Sequence, residues 1–165
     1  MMVIEQGGRR RTMMRASNNV MVGGTMVLAG LLWATCGWAG QIRLVVEDLR
    51  SQKGAVSLAL YNNADEFPEG ETLREHRVAV KDIPKGGIVF KNLVNGWYAI
   101  ALYHDENGND EFDTSFIGLP LENFGFSRNV KPFLSAPPFA HASFEVKPGV
   151  RSVAVVRMQT FSFGD

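Results

Sequence analysis

The stretch His104-Asp-Glu-Asn-Gly-Asn-Asp-Glu-Phe-Asp113 concentrates oxygen donors as no other part of the chain does. It holds five carboxylates (Asp105, Glu106, Asp110, Glu111 and Asp113), two asparagines and one glycine, directly after an apolar run. Donors of this kind suit a hard cation, and calcium takes six to eight oxygens from carboxylates, amides, backbone carbonyls and water. With Asp105 as position 1, Asn107 falls at 3, Asn109 at 5, Glu111 at 7 and Asp113 at 9, the first nine positions of an EF-hand-type loop. Two positions depart from that pattern: Asp110 stands where glycine is expected, and Phe116 where a bidentate acid closes the loop. Aspartate tolerates a left-handed backbone better than most residues, so the first departure is survivable. The second requires a ligand from elsewhere, Glu122 or water. The expectation is a weak structural calcium site built from Asp105, Asn107, Asn109, Glu111, Asp113 and Glu122. Its affinity would lie in the range of extracellular modules, about 10⁻⁴–10⁻³ M. Magnesium fits less well, because it demands a tighter octahedron. The competing reading is a plain acidic turn, since Asn107-Gly108 is a strong hairpin signal and Asn and Asp satisfy local backbone groups unaided. Five carboxylates within nine residues repel one another, however, and the nearest basic residues downstream are Arg128 and Lys131. That repulsion favours the cation.

Other chemistries find less support. A small hydrolase could be assembled from His104, Asp105 and Ser127 or Glu122, but Gly125-Phe-Ser-Arg-Asn129 lacks the trailing glycine of a nucleophile elbow. His76, His104 and His141 are scattered, which argues against catalytic zinc. The Gly86-Gly87 pair opens a strand rather than a phosphate cradle. The expectation is therefore a protein that is not an enzyme. A binding role has more to draw on. From Asp105 to Ala140 no confident strand is visible, yet six of the eleven phenylalanines fall there: Phe112, Phe116, Phe124, Phe126, Phe133 and Phe139. So much aromatic surface is incompatible with disorder, so the segment reads as one long ordered loop. It either caps the fold with a small core of its own or offers Phe116, Phe124, Phe126, Phe133 and Phe139 to a carbohydrate or peptide by stacking.

The elements that must position these residues are strands. Residues 41–47, 55–61, 77–83, 87–93, 97–103, 142–146 and 150–158 alternate or are rich in β-branched residues, with turn signals at 51–54, 84–87, 95–96 and 147–149. One short helix is expected over 72–76. The fold class is all-β: a single antiparallel β-sandwich of about seven strands, prealbumin-like or Greek-key, carrying the long loop.

Residues 1–39 read as a signal peptide ahead of a single domain over 40–165. Arg9, Arg10, Arg11 and Arg15 precede an apolar run from Val20 to Ala34, and small residues flank Trp38 in Gly37-Trp38-Ala39. The run is shorter than the roughly 20 residues of a membrane span. Arg10-Arg11 matches a twin-arginine signal only loosely, and Trp33 and Thr35 suit a lipidation site at Cys36 poorly, so the general export route is expected. Removing the leader takes four of 17 basic and one of 17 acidic residues, leaving a formal charge of −3. Without a basic patch, nucleic acid is excluded as a partner; an envelope component, a carbohydrate or a protein remains. The one cysteine departs with the leader, so the exported domain, periplasmic or extracellular, must be stabilised by its core or by an ion rather than by a disulfide.

The segment from Phe90 to Ser127 resembles the central block of a family of uncharacterised secreted bacterial proteins, a domain of unknown function (DUF2141). The features that carry the resemblance are Gly96, Tyr98 and Ala99, then His104 to Asn109, Asp113, Gly118-Leu-Pro-Leu-Glu122 and Gly125-Phe-Ser127, followed by Pro137-Pro-Phe139 and Ala142-x-Phe144. Trp97 and Asp110 depart from the family pattern. The resemblance spans about Gln41 to Met158 and implies a signal peptide, a compact β-sandwich and no established activity. The strand followed by Asp-Glu-Asn-Gly-Asn is also similar to calcium loops of prealbumin-like surface modules, an analogy of fold that carries no function.

Overall fold

Alternating apolar residues on short segments can be buried only by packing sheet against sheet. The computed structural model describes residues 39–133 and 135–161 and shows that arrangement. The strands are β1 (Gly40–Glu47), β2 (Ala55–Tyr61), β3 (Arg74–Ala79), β4 (Ile88–Leu93), β5 (Gly96–Asp105), β6 (Asn123–Phe126), β7 (Phe144–Val146) and β8 (Arg151–Arg157); a one-turn helix α1 (Phe139–Ala142) precedes β7. One sheet has the order β4-β1-β8; the other has the order β3-β2-β5-β6, with β7 also pairing β5. The expected leader, with its arginines and Cys36, lies outside the described residues. Among the described residues no helix is long and apolar enough to cross a membrane.

The all-β sandwich expected from the sequence is what the chain forms, with an eighth strand. The pairings are antiparallel except one: β1 and β8, the first and last strands, run parallel from Gln41↔Arg151 to Glu47↔Arg157. A parallel pair needs a long crossover, and here nearly the whole domain intervenes. Even-numbered residues of β2 and β5 point inward: Val56, Leu58, Leu60, Tyr98, Ile100 and Leu102 meet Ile42, Leu44, Phe90 and Val156 of the facing sheet in one buried core. Each such side chain contributes about 1.5–3 kcal/mol on burial.

Two local expectations are corrected. The helix over 72–76 does not form; residues from Arg74 onward belong to β3, paired with β2 from Leu60↔Arg74 to Ala55↔Ala79. Its charged face reflects an exposed edge strand rather than a helix, because charge on an edge discourages further pairing. The segment from 105 to 140 is not a single loop either, since β6 divides it. All four residues of β6 are buried, so no alternation marks it, and it includes a glycine. Gly125 is required there, because a Cβ would come within 2.7 Å of Val156 Cγ1 on β8.

Candidate cation site

The longest strand, β5, ends on Asp105, fully buried in the loop that follows it. Asp105 Oδ1 accepts the N–H of Gly108 at 2.6 Å and Oδ2 that of Asp110 at 3.1 Å. Asn107 Oδ1 then accepts from Asn109 N at 3.0 Å, and Asn109 Oδ1 from Glu111 N at 3.0 Å. The chain therefore winds as successive Asx turns in which the side chains at positions 1, 3 and 5 each turn an oxygen back onto the backbone. Asp110, at position 6, has φ of 65°, the left-handed conformation the missing glycine would have supplied. The Asp105, Asn107 and Asn109 oxygens named Oδ1 each accept a single backbone N–H in this loop and retain a lone pair.

The charge is distributed unevenly. Arg50 pairs with Glu106 through both oxygens, at 2.8 and 3.2 Å. Arg77, reaching across from β3, places Nη2 2.5 Å from Asp105 Oδ2 and Nε 2.5 Å from Asp110 Oδ1. Burial alone would raise the Asp105 carboxyl; the Arg77 guanidinium and the two backbone N–H groups outweigh it and hold the group below the usual carboxylate range. Three of the five loop carboxylates thus pair with two arginines that the chain brings from distant positions, leaving one of the three charges uncompensated. Neither Arg128 nor Lys131, the nearest in sequence, takes part in an ion pair among the described residues.

Glu111 and Asp113 remain of the loop acids, and Asp113 is joined by Glu122, immediately before β6. Asp113 receives only neutral donors, Asn107 Nδ2 at 2.6 Å and Asn109 Nδ2 at 3.0 Å. Glu122 is buried; its Oε2 accepts the N–H of Asp113 at 3.2 Å, the Glu106 N–H also approaches the carboxylate, and Oε1 has no partner at full hydrogen-bonding geometry among the described residues. Burial first, and then the nearby Asp113 and Asp105 carboxylates, push the Glu122 carboxyl up. Among the described residues neither acid has an ion-pair partner within 4 Å, and Arg50 reaches Glu122 only through its longer-range field. A carboxylate without a cation beside a second unpaired carboxylate is costly to bury. The glutamate singled out from sequence as a stand-in for the closing acid is therefore set against the loop. Glu111 is exposed, and its part in any coordination would fall to its backbone carbonyl. No three His, Cys, Asp or Glu groups among the described residues form a ready metal cluster; the donor set is the unpaired Asp113 and Glu122 carboxylates, the arginine-paired Asp105 carboxylate and neutral amides, the composition of a weak site.

Asp113 and Glu122 also bracket a hairpin. Leu121 N donates to Asp113 O at 2.9 Å, Thr114 bridges Pro120, and Gly118 N bonds Ser115 O at 2.8 Å, leaving Phe116 fully exposed at the tip.

The hydrolase constellation does not assemble. Ser127 Oγ is buried, accepts from Ile100 N at 2.9 Å and donates to Ala142 O at 2.6 Å. His104 is also buried, with Nε2 donating to Lys53 O at 2.8 Å and Nδ1 3.6 Å from Glu106 Oε1. The hydroxyl and the imidazole serve the backbone, not each other. The phenylalanines divide as well. Phe112, Phe124, Phe126 and Phe139 join Tyr61, Phe67 and Tyr103 in edge-to-face and tilted contacts with centroids 5.3–6.2 Å apart. Phe133, 85% exposed, and Phe116 stand outside this layer. The sequence offered no signal for the share of Arg50, Arg77, Tyr61 or Phe67, whose partners lie far along the chain.

Residues 44–154 match a family described as an uncharacterized protein conserved in bacteria (DUF2141), and the chain belongs to that family. Neither the curated proteins nor the solved structures include a match to it.

Proposed function

We propose that the protein is an exported, non-catalytic β-sandwich whose Asp105–Asp113 loop, closed by Glu122, holds a structural calcium ion, and that its role is binding or envelope structure. Glu122 carries this reading: a buried carboxylate with one oxygen lacking a partner at full hydrogen-bonding geometry, next to Asp113, which has no cationic partner either among the described residues. Asp113 and Glu122 would supply charged ligands; Asp105, Asn107, Asn109 and the Glu111 carbonyl would supply the neutral or shared ones. A bound ion neutralises both acids at the base of the hairpin and fixes the connection between β5 and β6. Export is supported by the arginine-rich start, the short apolar run and Gly37-Trp38-Ala39, and calcium outside the cytoplasm suffices for a weak site.

Isothermal titration tests the reading directly. Calcium is expected to bind one site at about 10⁻⁴–10⁻³ M, with magnesium weaker. The absence of saturable calcium binding up to several millimolar would sink it.

A further inference from the structure

On the outer face of the five-stranded sheet an aromatic cluster around Phe124 and Phe126 covers the β6 side, and beside it the described residues leave a groove open. Two cross-strand rows run over that face: Glu75, Ala59, Ala101 and Phe126 in one, and Arg77, Ser57, Tyr103 and Phe124 in the next. Ser57, Ala59 and Ala101 are small and half-buried and form a low floor, with Tyr103 and the β6 phenylalanines rising on one side and the charged side chains of β3 on the other. The result is an open groove of about 1050 Å³, bordered further by Phe112 and by Thr114 and Pro120 of the hairpin. That volume lies just above the 300–1,000 Å³ usual for small-molecule sites.

The charge at the rim selects the occupant. Arg77 is consumed by Asp105 and Asp110. Glu69 and Glu75, which also line the groove, have no ion-pair partner among the described residues. Burial first, and then Glu75 and Glu69, raise the Tyr61 phenol, so both carboxylates act on that ring. Tyr61 is in turn the end of the aromatic series that passes through Phe67, Phe126, Phe124 and Phe112 to Tyr103. Aromatic rings beside unpaired carboxylates favour a positive, weakly hydrated centre, through cation–π attraction and simple Coulomb attraction together. An anionic ligand would meet the carboxylates without a free guanidinium.

We propose that this groove binds an apolar organic cation, its hydrophobic body against Phe112 and Tyr103 beside the buried Phe124–Phe126 cluster and its charge toward Glu69, Glu75 and Tyr61. Tetraphenylphosphonium and tetraphenylborate, alike in size and opposite in charge, make the test. Titrated into the protein at fixed calcium, the phosphonium should saturate one site, and the borate should bind at least about tenfold more weakly. The double variant Glu69→Gln/Glu75→Gln, altered only at groove-rim carboxylates, should weaken the phosphonium about fivefold to tenfold and leave the borate unchanged. Phe112→Ala, at a residue 40% exposed, should weaken the phosphonium as well. Equal binding of the two ions, no saturable binding of the phosphonium, or an unaltered affinity in the double variant would overturn the proposal.

Discussion

At the scale of single residues, Asp105 and Glu122 are two buried acids with opposite circumstances. Asp105 has Arg77 and two backbone donors; Glu122 has the N–H groups of Asp113 and, less well aligned, Glu106, but no cation among the described residues. The consequences for pH differ in sign. The lowered Asp105 value means that its contribution to stability is present above its ordinary 3.8 and is lost as pH falls through a lower value. The raised Glu122 value means that its own contribution to the ion-free protein's stability is fully present below the ordinary 4.5 and is lost as pH rises through the higher folded value. Glu122→Gln removes the charge and keeps the shape. In chelator at pH 7 the variant should be more stable than the parent by about 1 kcal/mol, the order of relieving a buried unsatisfied group; in millimolar calcium it should be the less stable of the two. Urea denaturation under both conditions checks this, and a variant destabilised equally in both would place Glu122 outside any ion site. The oxygen donors of this region were legible as residue types at alternate positions. Arg77 was not: it is 28 residues from Asp105 and meets it only because β3 and β5 flank β2.

At the scale of elements, the site depends on how closely the connection after β1 approaches the end of β5. Gly54 has φ of 67°, and a Cβ there would fall 1.9 Å from Asp105 O. Gly54→Ala should cost more than the roughly 1–2 kcal/mol of a left-handed L-residue, since the collision is with backbone that cannot swing aside. A drop in the thermal midpoint measures it, and an unchanged midpoint would mean the two segments are not held together. The central strands were readable because one face of each is apolar and the period is two. β6 was not, because both of its faces are covered and alternation disappears. β3 was displaced because three consecutive exposed residues, Glu75, His76 and Arg77, carry no apolar period; pairing with β2 decides the conformation instead.

At the scale of the whole molecule, the described domain relies on one core between two sheets, with an aromatic layer on the outside of the larger one. The two-sheet class followed from strand spacing and turn residues. The groove did not: Ser57, Ala59 and Ala101 are indistinguishable in sequence from ordinary small residues of an alternating strand, and they become a floor only once the aromatic wall of β6 stands beside them. A domain without a disulfide gains from any ligand bound to its folded state alone. The thermal midpoint with 10 mM calcium against the same protein in EDTA weighs this most directly. A site of about 10⁻⁴–10⁻³ M adds roughly 1.4–2.7 kcal/mol at that concentration, which for a domain of this size corresponds to a rise of about 5 °C or more. An identical midpoint in calcium and in EDTA would contradict a cation at Asp113 and Glu122.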